Sequence, residues 1–179
     1  MATLGYTTIG TLGSQTTVIG GLICCKFTAG SSGGITSMSA YISSTGTANF
    51  KFGIYADNAG LVGNLIATSS QIGTMTTTPT WVTLSLFANI VSGQTYWLTA
   101  QGGDNLTIAY DLGSANQGGE TNVSAGNAVV PFPTFPYIAT PSSLNTRQFS
   151  IYATYNTSYQ GPSQLKGVQS IKGLQSIKF

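Results

Sequence analysis

Hydrophobic and polar side chains alternate one by one along six segments of the chain, and turn-forming residues such as Gly, Asn, Ser and Pro bound these segments. Such alternation is typical of β-strands with one buried face, because successive side chains of a strand point to opposite sides of the sheet. No segment carries the apolar stripe of about 3.6-residue period that marks an amphipathic helix. The alternation predicts the inward-facing sets Met38/Ala40/Ile42, Phe50/Phe52/Ile54, Val82/Leu84/Leu86, Tyr96/Leu98/Ala100, Leu106/Ile108/Tyr110 and Phe149/Ile151/Ala153/Tyr155.

Two weaker strand candidates lie at 18–27 and 65–71, and they raise the predicted number of strands to eight or nine. Short antiparallel strands in this number, joined by Gly-rich connections, fit two packed sheets. We therefore predict an all-β fold, an antiparallel jelly-roll β-sandwich of about eight strands at 1–158, followed by an extended C-terminal tail at 159–179.

The composition supports a folded β protein with one core. Charged residues make up 6% of the 179 residues, where about 25% is usual, while 41% are apolar and 23 are glycines. Disordered chains combine low hydrophobicity with high net charge, and this chain has neither, since its formal net charge is +2. A chain of this length is enough for one well-buried domain with an appendage.

Two stretches of the chain follow a pattern that is known from a widespread protein module. Residues 52–67 follow a "GIY...G.PG.LLA" strand pair, and residues 81–100 follow the "W....L...V..G..YWLA" pair that comes after it. On the basis of these motifs, the segment 5–155 resembles a jelly-roll module that occurs in secreted and phage virion proteins. This module is similar to carbohydrate-binding modules. The resemblance implies a jelly-roll fold and binding of surface glycans. The insert at 113–145 and the tail depart from the module.

The few charges are unevenly placed, and their placement bears on the class of partner. A nucleic-acid-binding domain usually presents a basic patch on its folded body, but here the body has scattered cations in near balance with carboxylates. We therefore predict no nucleic-acid partner. No stretch reaches the roughly 18–20 apolar residues of a membrane span, so we also predict no membrane insertion. The cations of the body are Lys26, Lys51 and Arg147, its carboxylates are Asp57, Asp104, Asp111 and Glu120, and the tail adds Lys166, Lys172 and Lys178.

The first residues, MATLGYTTIGTLGSQ, lack the basic start and apolar run of a secretory signal. Two explanations stay open: a signal has been removed, or the protein leaves the cell by another route such as lysis or virion assembly. We favour the second, which places the protein in a virion or on an extracellular surface.

The two cysteines are neighbours, Cys24 and Cys25, in the segment GLICCKF. Because consecutive strand residues face opposite ways, an ordinary disulfide between them is geometrically improbable. We expect two small apolar side chains on opposite faces.

The chain has few side chains that are suited to catalysis. The chain has no histidine, the side chain most used for acid–base chemistry near neutral pH. Glycoside hydrolysis needs two carboxylates about 5–10 Å apart, whereas Asp104 and Asp111 flank a predicted strand that separates their backbones by about 20 Å. Asp57 could still approach either of them. We predict a non-enzymatic protein without a cofactor.

A structural calcium ion is a further candidate, because modules of this general type hold such an ion through Asp, Asn and backbone carbonyls. Asp57 and Asp104 are the candidate ligands. The alternative is that Asp57-Asn58 and Asp104-Asn105 only form turns, since both residue types bond their own backbone and tolerate left-handed φ.

Aromatic side chains are the candidates for glycan or partner contact, because flat rings pack on the C–H surfaces of sugars. Trp97 points away from the predicted inward set of its strand, so we expect it either to offer its face to a ligand or to close an edge of the core. Trp81 begins a strand, and we expect it in the core. The proline-rich segment PFPTFPY either forms an exposed apolar patch or folds back and closes one end of the sandwich. Its rings belong to Phe132, Phe135 and Tyr137.

The segment 161–179, GPSQLKGVQSIKGLQSIKF, contains three near-copies of a hexapeptide and a final phenylalanine. Apolar side chains recur at every third position and lysines at every sixth, which matches neither a strand nor a helix. A lone tail cannot bury these side chains against itself, so we expect it to wind with other tails or to lie in a groove of another subunit. A flexible basic terminus is the alternative. The predicted assembly contacts are Leu165, Val168, Ile171, Leu174, Ile177 and Phe179.

These observations lead to a functional hypothesis with alternatives. The chain is expected to be a structural or decorating component of an extracellular assembly, in the first place a phage virion, as a capsid decoration, tail or fibre protein. Its expected partners are copies of itself, other virion or surface proteins, and host-surface glycans. The alternatives are a soluble carbohydrate-binding module of a secreted protein and a subunit of a self-polymerising surface filament.

Overall fold

The fold is known from a computed structural model that describes residues 1–70, 72–120, 132–136, 141 and 143–157. This part of the chain is all-β: it contains no helix, and hence none that could cross a membrane. Its strands form two antiparallel sheets. The strands are β1 (Ala2–Gly5), β2 (Gly13–Thr16), β3 (Leu22–Thr28), β4 (Gly33–Ser44), β5 (Ala48–Asn58), β6 (Leu61–Thr68), β7 (Gly73–Met75), β8 (Thr80–Ile90), β9 (Thr95–Gly102), β10 (Leu106–Leu112), β11 (Gly118–Glu120), β12 (Ser143–Asn145), β13 (Arg147–Phe149) and β14 (Ile151–Asn156).

The first sheet, sheet I, is organised around the long strand β4. Strand β8 pairs along one edge of β4, and β14 followed by β10 pairs along the other. Strand β1 extends the sheet beyond β14, while β2 and β13 both pair with β10. Sheet I therefore has β8 at one edge and several short strands at the opposite edge.

The second sheet, sheet II, has the order β12-β11-β3-β9-β5-β6, and β7 pairs with the first residues of β5. Strand β9 lies at its centre, between β3 and β5. The short strands β11 and β12 belong to the insert that departs from the resembled module, and they widen sheet II at its β3 edge.

The main core lies between the two sheets and contains side chains from both, as in a β-sandwich. The predicted inward-facing sets are confirmed: all their members are buried except Val82 and Tyr110, which are half-buried against the same core. The side chains that face the main core therefore recur with period two along the long strands, although β9 and the middle of β5 are buried on both faces.

The number of strands was underestimated, because fourteen strand segments are present in the described residues where eight or nine were predicted. The missed strands β1, β2, β7, β11, β12 and β13 have three or four residues each, and several are rich in glycine or polar side chains. Such strands carry no periodicity of their own and are defined by their neighbours in the sheet. The hexad tail, with its predicted contacts at 165–179, lies outside the described residues.

Candidate functional site

The outer face of sheet I carries the candidate site. On β8, the side chains of Trp81, Thr83, Ser85 and Phe87 alternate with the inward-facing set, and the last three of these are exposed. The strand register places Tyr41 of β4 directly opposite Trp81. Strand β14 adds its own outward-facing side chains on the far side of β4. Three strands therefore contribute to one surface.

Three half-buried aromatic rings meet on this surface, and we call Tyr41, Trp81 and Tyr152 the aromatic cluster. The ring centroids of Trp81 and Tyr41 are 5.7 Å apart with an interplanar angle of 62°. Those of Trp81 and Tyr152 are 5.2 Å apart at 63°. Both pairs have the edge-to-face geometry that aromatic side chains favour, so the indole reaches across β4 and is held from two sides.

The three strands that carry the aromatic cluster are rich in hydroxyl groups. The hydroxyl groups of Ser39 and Thr83 are 2.8 Å apart and hydrogen-bonded, in the row next to the Tyr41–Trp81 pair. Strands β4, β8 and β14 contain no charged residue. The surface can therefore offer ring edges, partly exposed apolar area and neutral hydrogen-bonding groups, but no ionic contact.

The structure places the two tryptophans in different environments. For Trp97 the alternatives were contact with a ligand and closure of a core edge, and its side chain is fully buried within the fold. Its Nε1–H donates a hydrogen bond of 2.8 Å to Asp57 Oδ1, and Lys26 Nζ lies 5.4 Å from the ring centroid. Trp81 was expected in the core and instead lies half-exposed on the outer face of sheet I.

Trp97 is buried by a second, smaller cluster on the outer face of sheet II. Phe135, from the proline-rich segment, packs over Tyr55 with a centroid distance of 6.3 Å, and the Tyr55 hydroxyl donates a 3.0 Å hydrogen bond to the Pro136 carbonyl. Burial raises the pKa of Tyr55 well above its usual value. We call this the cover cluster, and its buried members are Leu22, Cys24, Tyr55, Val62, Trp97 and Phe135.

The cover cluster corrects the expected role of the proline-rich segment. Phe135 is 8% exposed and covers a sheet face, so it presents neither a free patch nor a plug at the end of the sandwich. It packs on the bare backbone of Gly53, where an added Cβ would overlap the ring. Phe132 is half-buried beside Gly103, and Tyr137 lies outside the described residues.

The two candidate metal ligands, Asp57 and Asp104, lie at opposite ends of sheet II. Asp57 follows Ala56, which pairs with Tyr96, whereas Asp104 lies two residues after Gly102, which pairs with Phe50. About six residues of strand, or roughly 20 Å, separate these ends, so the two carboxylates cannot share an ion. Among the described residues, no group of three or more His, Cys, Asp or Glu side chains could hold a metal.

Asp111 is engaged in a structural network. Its carboxylate accepts hydrogen bonds from the Tyr6 hydroxyl at 2.6 Å, from the Thr11 backbone N–H at 2.8 Å and from the Leu12 N–H at 3.0 Å. The Tyr6 hydrogen bond, followed by those of the backbone, lowers the pKa of Asp111. This carboxylate fixes the connection between β1 and β2 to β10.

A polar cleft of about 300 Å³ lies beside the buried indole of Trp97. Asp57 in its wall already accepts hydrogen bonds from Trp97 and from the Gly60 N–H. Gln117 in the same wall accepts from the Ser114 N–H and donates to the Lys26 carbonyl. Because these groups are satisfied within the fold, the aromatic cluster is the stronger candidate for a ligand site.

No protein-family profile and no curated protein sequence matches the chain. The candidate site therefore depends on its geometry alone.

The aromatic cluster was not predicted from the sequence, although part of the signal was present. Because Val82, Leu84 and Leu86 face inward, Trp81 must face outward, and the same alternation turns Tyr41 and Tyr152 outward. What the pattern could not supply was the pairing of β8, β4 and β14 that brings the three rings together.

Proposed function

We propose that this chain is a non-enzymatic adhesion or decoration component of an extracellular assembly, with the outer face of sheet I as its glycan-binding surface. The assembly we favour is a phage virion, in which the chain would serve as a capsid decoration, tail or fibre protein. The proposal includes a jelly-roll connection of the two sheets, no cofactor, and self-association as a homo-oligomer.

The aromatic cluster is the observation that carries the proposal. Its rings are half-buried and held edge to face by one another, so a ligand would meet a surface whose order is already established. Sugars present C–H surfaces and hydroxyl groups, which match aromatic rings flanked by Ser and Thr hydroxyls. The absence of charge on β4, β8 and β14 favours a neutral glycan.

The role in an assembly is supported by the sequence of the tail. Five aliphatic side chains at every third position need a neighbouring molecule to cover them, and three lysines keep the tail soluble. A chain without histidine, whose Asp57 and Asp111 carboxylates hold hydrogen bonds within the fold, is better suited to binding than to catalysis.

The test of glycan binding compares Trp81 with an exposed apolar residue of the other sheet. Screening a glycan array with the full chain identifies ligands, and titration with a soluble oligosaccharide then gives the affinity per site. Trp81→Ala should weaken binding at least tenfold. Leu61→Ala is the control, at an exposed position of β6 in sheet II, and should leave the affinity within twofold. Equal affinities for wild type and Trp81→Ala would contradict the proposed surface.

The test of assembly removes residues 161–179 and measures the molar mass by light scattering together with attachment to particles. An assembly protein should form smaller oligomers or lose attachment on deletion. A soluble carbohydrate-binding module should keep its oligomeric state and its sugar binding. A filament subunit should form fibres from the purified full chain under electron microscopy.

A further inference from the structure

Strand β8 is an open edge of sheet I. It spans eleven residues, and among the described strands it pairs with β4 alone. Within the part of the chain that the structure describes, one row of its backbone N–H and C=O groups is therefore left for another strand. Long open edges of this kind are templates for pairing with a second chain.

The usual devices that prevent edge pairing are weak on β8. The strand contains no lysine or other charged residue and no proline. An irregularity in its pairing with β4 lies between Ser85 and Ala88, but the alternation continues through it, with Leu86 buried and Phe87 exposed. Phe87 is 70% exposed, so a large apolar ring lies on this edge. Within the described residues, the edge is uncovered and apolar at this point.

The outward-facing side chains of β8 are complementary to themselves in reverse order. They are Trp81, Thr83, Ser85 and Phe87, so the row is aromatic, hydroxyl, hydroxyl, aromatic. An antiparallel copy centred on Leu84 would place each aromatic side chain opposite an aromatic one and each hydroxyl opposite a hydroxyl. These are favourable cross-strand pairs in antiparallel sheets.

We infer that β8 is the contact between two copies of this chain, paired antiparallel about a two-fold axis with Leu84 facing Leu84 of the second copy. In this register Trp81 lies opposite Phe87 of the other copy, and Thr83 lies opposite Ser85. The contact is isologous and joins two copies only, because both copies contribute the same surface to it. It covers the exposed Phe87 ring and joins sheet I of one copy to sheet I of the other, so that they form one continuous sheet.

This inference specifies the homo-oligomer of the proposed function and requires neither glycan binding nor the tail. The joined sheet would place two aromatic clusters on one continuous face, each extended by Phe87 of the other copy. Two linked sites raise the avidity for a repetitive glycan without any new sugar contact.

Cysteine pairing tests the register in the full chain. Residues directly opposite each other have Cβ atoms about 4.5–5.5 Å apart, close to disulfide geometry, whereas diagonal positions are about 7–8 Å apart. Mixing Thr83→Cys with Ser85→Cys under mild oxidation should give a disulfide-linked dimer, while each variant alone should give several-fold less. The native Cys24 and Cys25 are buried and should not contribute.

Molar mass tests the contact without new cysteines. Thr83→Lys puts a charge in the centre of the edge, and the mass measured by light scattering should fall by half. Thr3→Lys makes the same change at an exposed position of β1, the edge strand on the opposite side of sheet I, and should leave the mass unchanged. An unchanged mass for Thr83→Lys, or cross-linking that is equal in mixed and single variants, would overturn the inference. If cross-linking succeeds but no glycan binds, only the proposed glycan-binding surface fails.

Discussion

The two outer faces of the molecule carry a similar set of aromatic residues and use them in opposite ways. On sheet I, Trp81 lies half-exposed between two tyrosines. On sheet II, Trp97 lies beneath Lys26 and within the cover cluster, with its N–H bonded to Asp57. Both indoles point away from the main core, so the direction of a side chain in a sandwich does not by itself decide its exposure.

The difference comes from what the chain places over each face. The segment around Phe135 packs on sheet II and turns its outer face into a second hydrophobic layer, whereas the described residues leave the aromatic cluster of sheet I half-exposed. Covered aromatic side chains contribute mainly to stability, and uncovered ones are available for recognition. The following experiments test this division, from the largest expected effect to the smallest.

Trp97→Ala should cause the largest loss of stability. Removing a fully buried indole leaves a cavity and removes one of the two hydrogen bonds to the Asp57 carboxylate, and we expect a decrease of about 3–5 kcal/mol in the free energy of unfolding. Urea unfolding monitored by far-UV circular dichroism measures it. A loss no larger than that of Trp81→Ala would remove the distinction between the two faces.

Phe135→Ala should cost about 2–4 kcal/mol, because the ring covers Tyr55 and Gly53 but belongs to a connecting segment that can relax. The chain has two tryptophans, so in a Trp81→Phe background the fluorescence comes from Trp97 alone. Acrylamide quenching of this fluorescence should increase when Phe135 is removed. Phe132→Ala, which removes a half-buried ring of the same segment, is the control and should leave the quenching near the background value.

Trp81→Ala should cost only about 1–2 kcal/mol, since it removes two edge-to-face contacts from a half-exposed surface. Trp81→Phe should recover part of that loss because a smaller ring can still contact Tyr41 and Tyr152. Chemical denaturation of the three proteins side by side checks the order. A large loss for Trp81→Ala would mean that the aromatic cluster is chiefly a structural element.

Asp111→Asn should change the acid dependence of stability. The pKa of Asp111 is lowered in the folded protein, so its charged form contributes stability above the unfolded pKa and loses it as the pH falls through the folded value. The variant should be less stable than wild type at pH 7, and the gap should shrink below about pH 4. Urea midpoints across this range measure it, with Asp104→Asn, which accepts from the Asn105 N–H, as the comparison. A gap that is constant with pH would contradict the assignment.

The long strands could be predicted because the side chains that face the main core recur with period two. Phe50, Phe52 and Ile54 of β5 are buried as predicted, and so are all members of the last set, on β13 and β14. Each of these strands has one face on the main core, and its sequence therefore has an apolar residue at every second position. Strands of three or four residues, such as GSQT or GGE, have no such pattern, because their formation depends on the partner strand.

The candidate site was less predictable than the fold. The orientation of Trp81 follows from its neighbours, but its meeting with Tyr152 depends on strands that lie about seventy positions apart in the sequence. The burial of Trp97 depends on Phe135, which lies within an insert without periodicity. Glycine at position 53 was the one local signal of this contact, since a strand position without a side chain permits close packing. Contacts between distant segments are not encoded in local alternation.

The adjacent cysteines of β3 separate the two hydrophobic layers at a single peptide bond. Cys25 lies in the main core and Cys24 in the cover cluster, and burial raises the pKa of both thiols to about 12. The rates at which a thiol reagent modifies the two cysteines would therefore report two different opening motions of the fold. Detachment of the segment around Phe135 would expose the sulfur of Cys24 while leaving that of Cys25 protected, and only separation of the sheets would expose both.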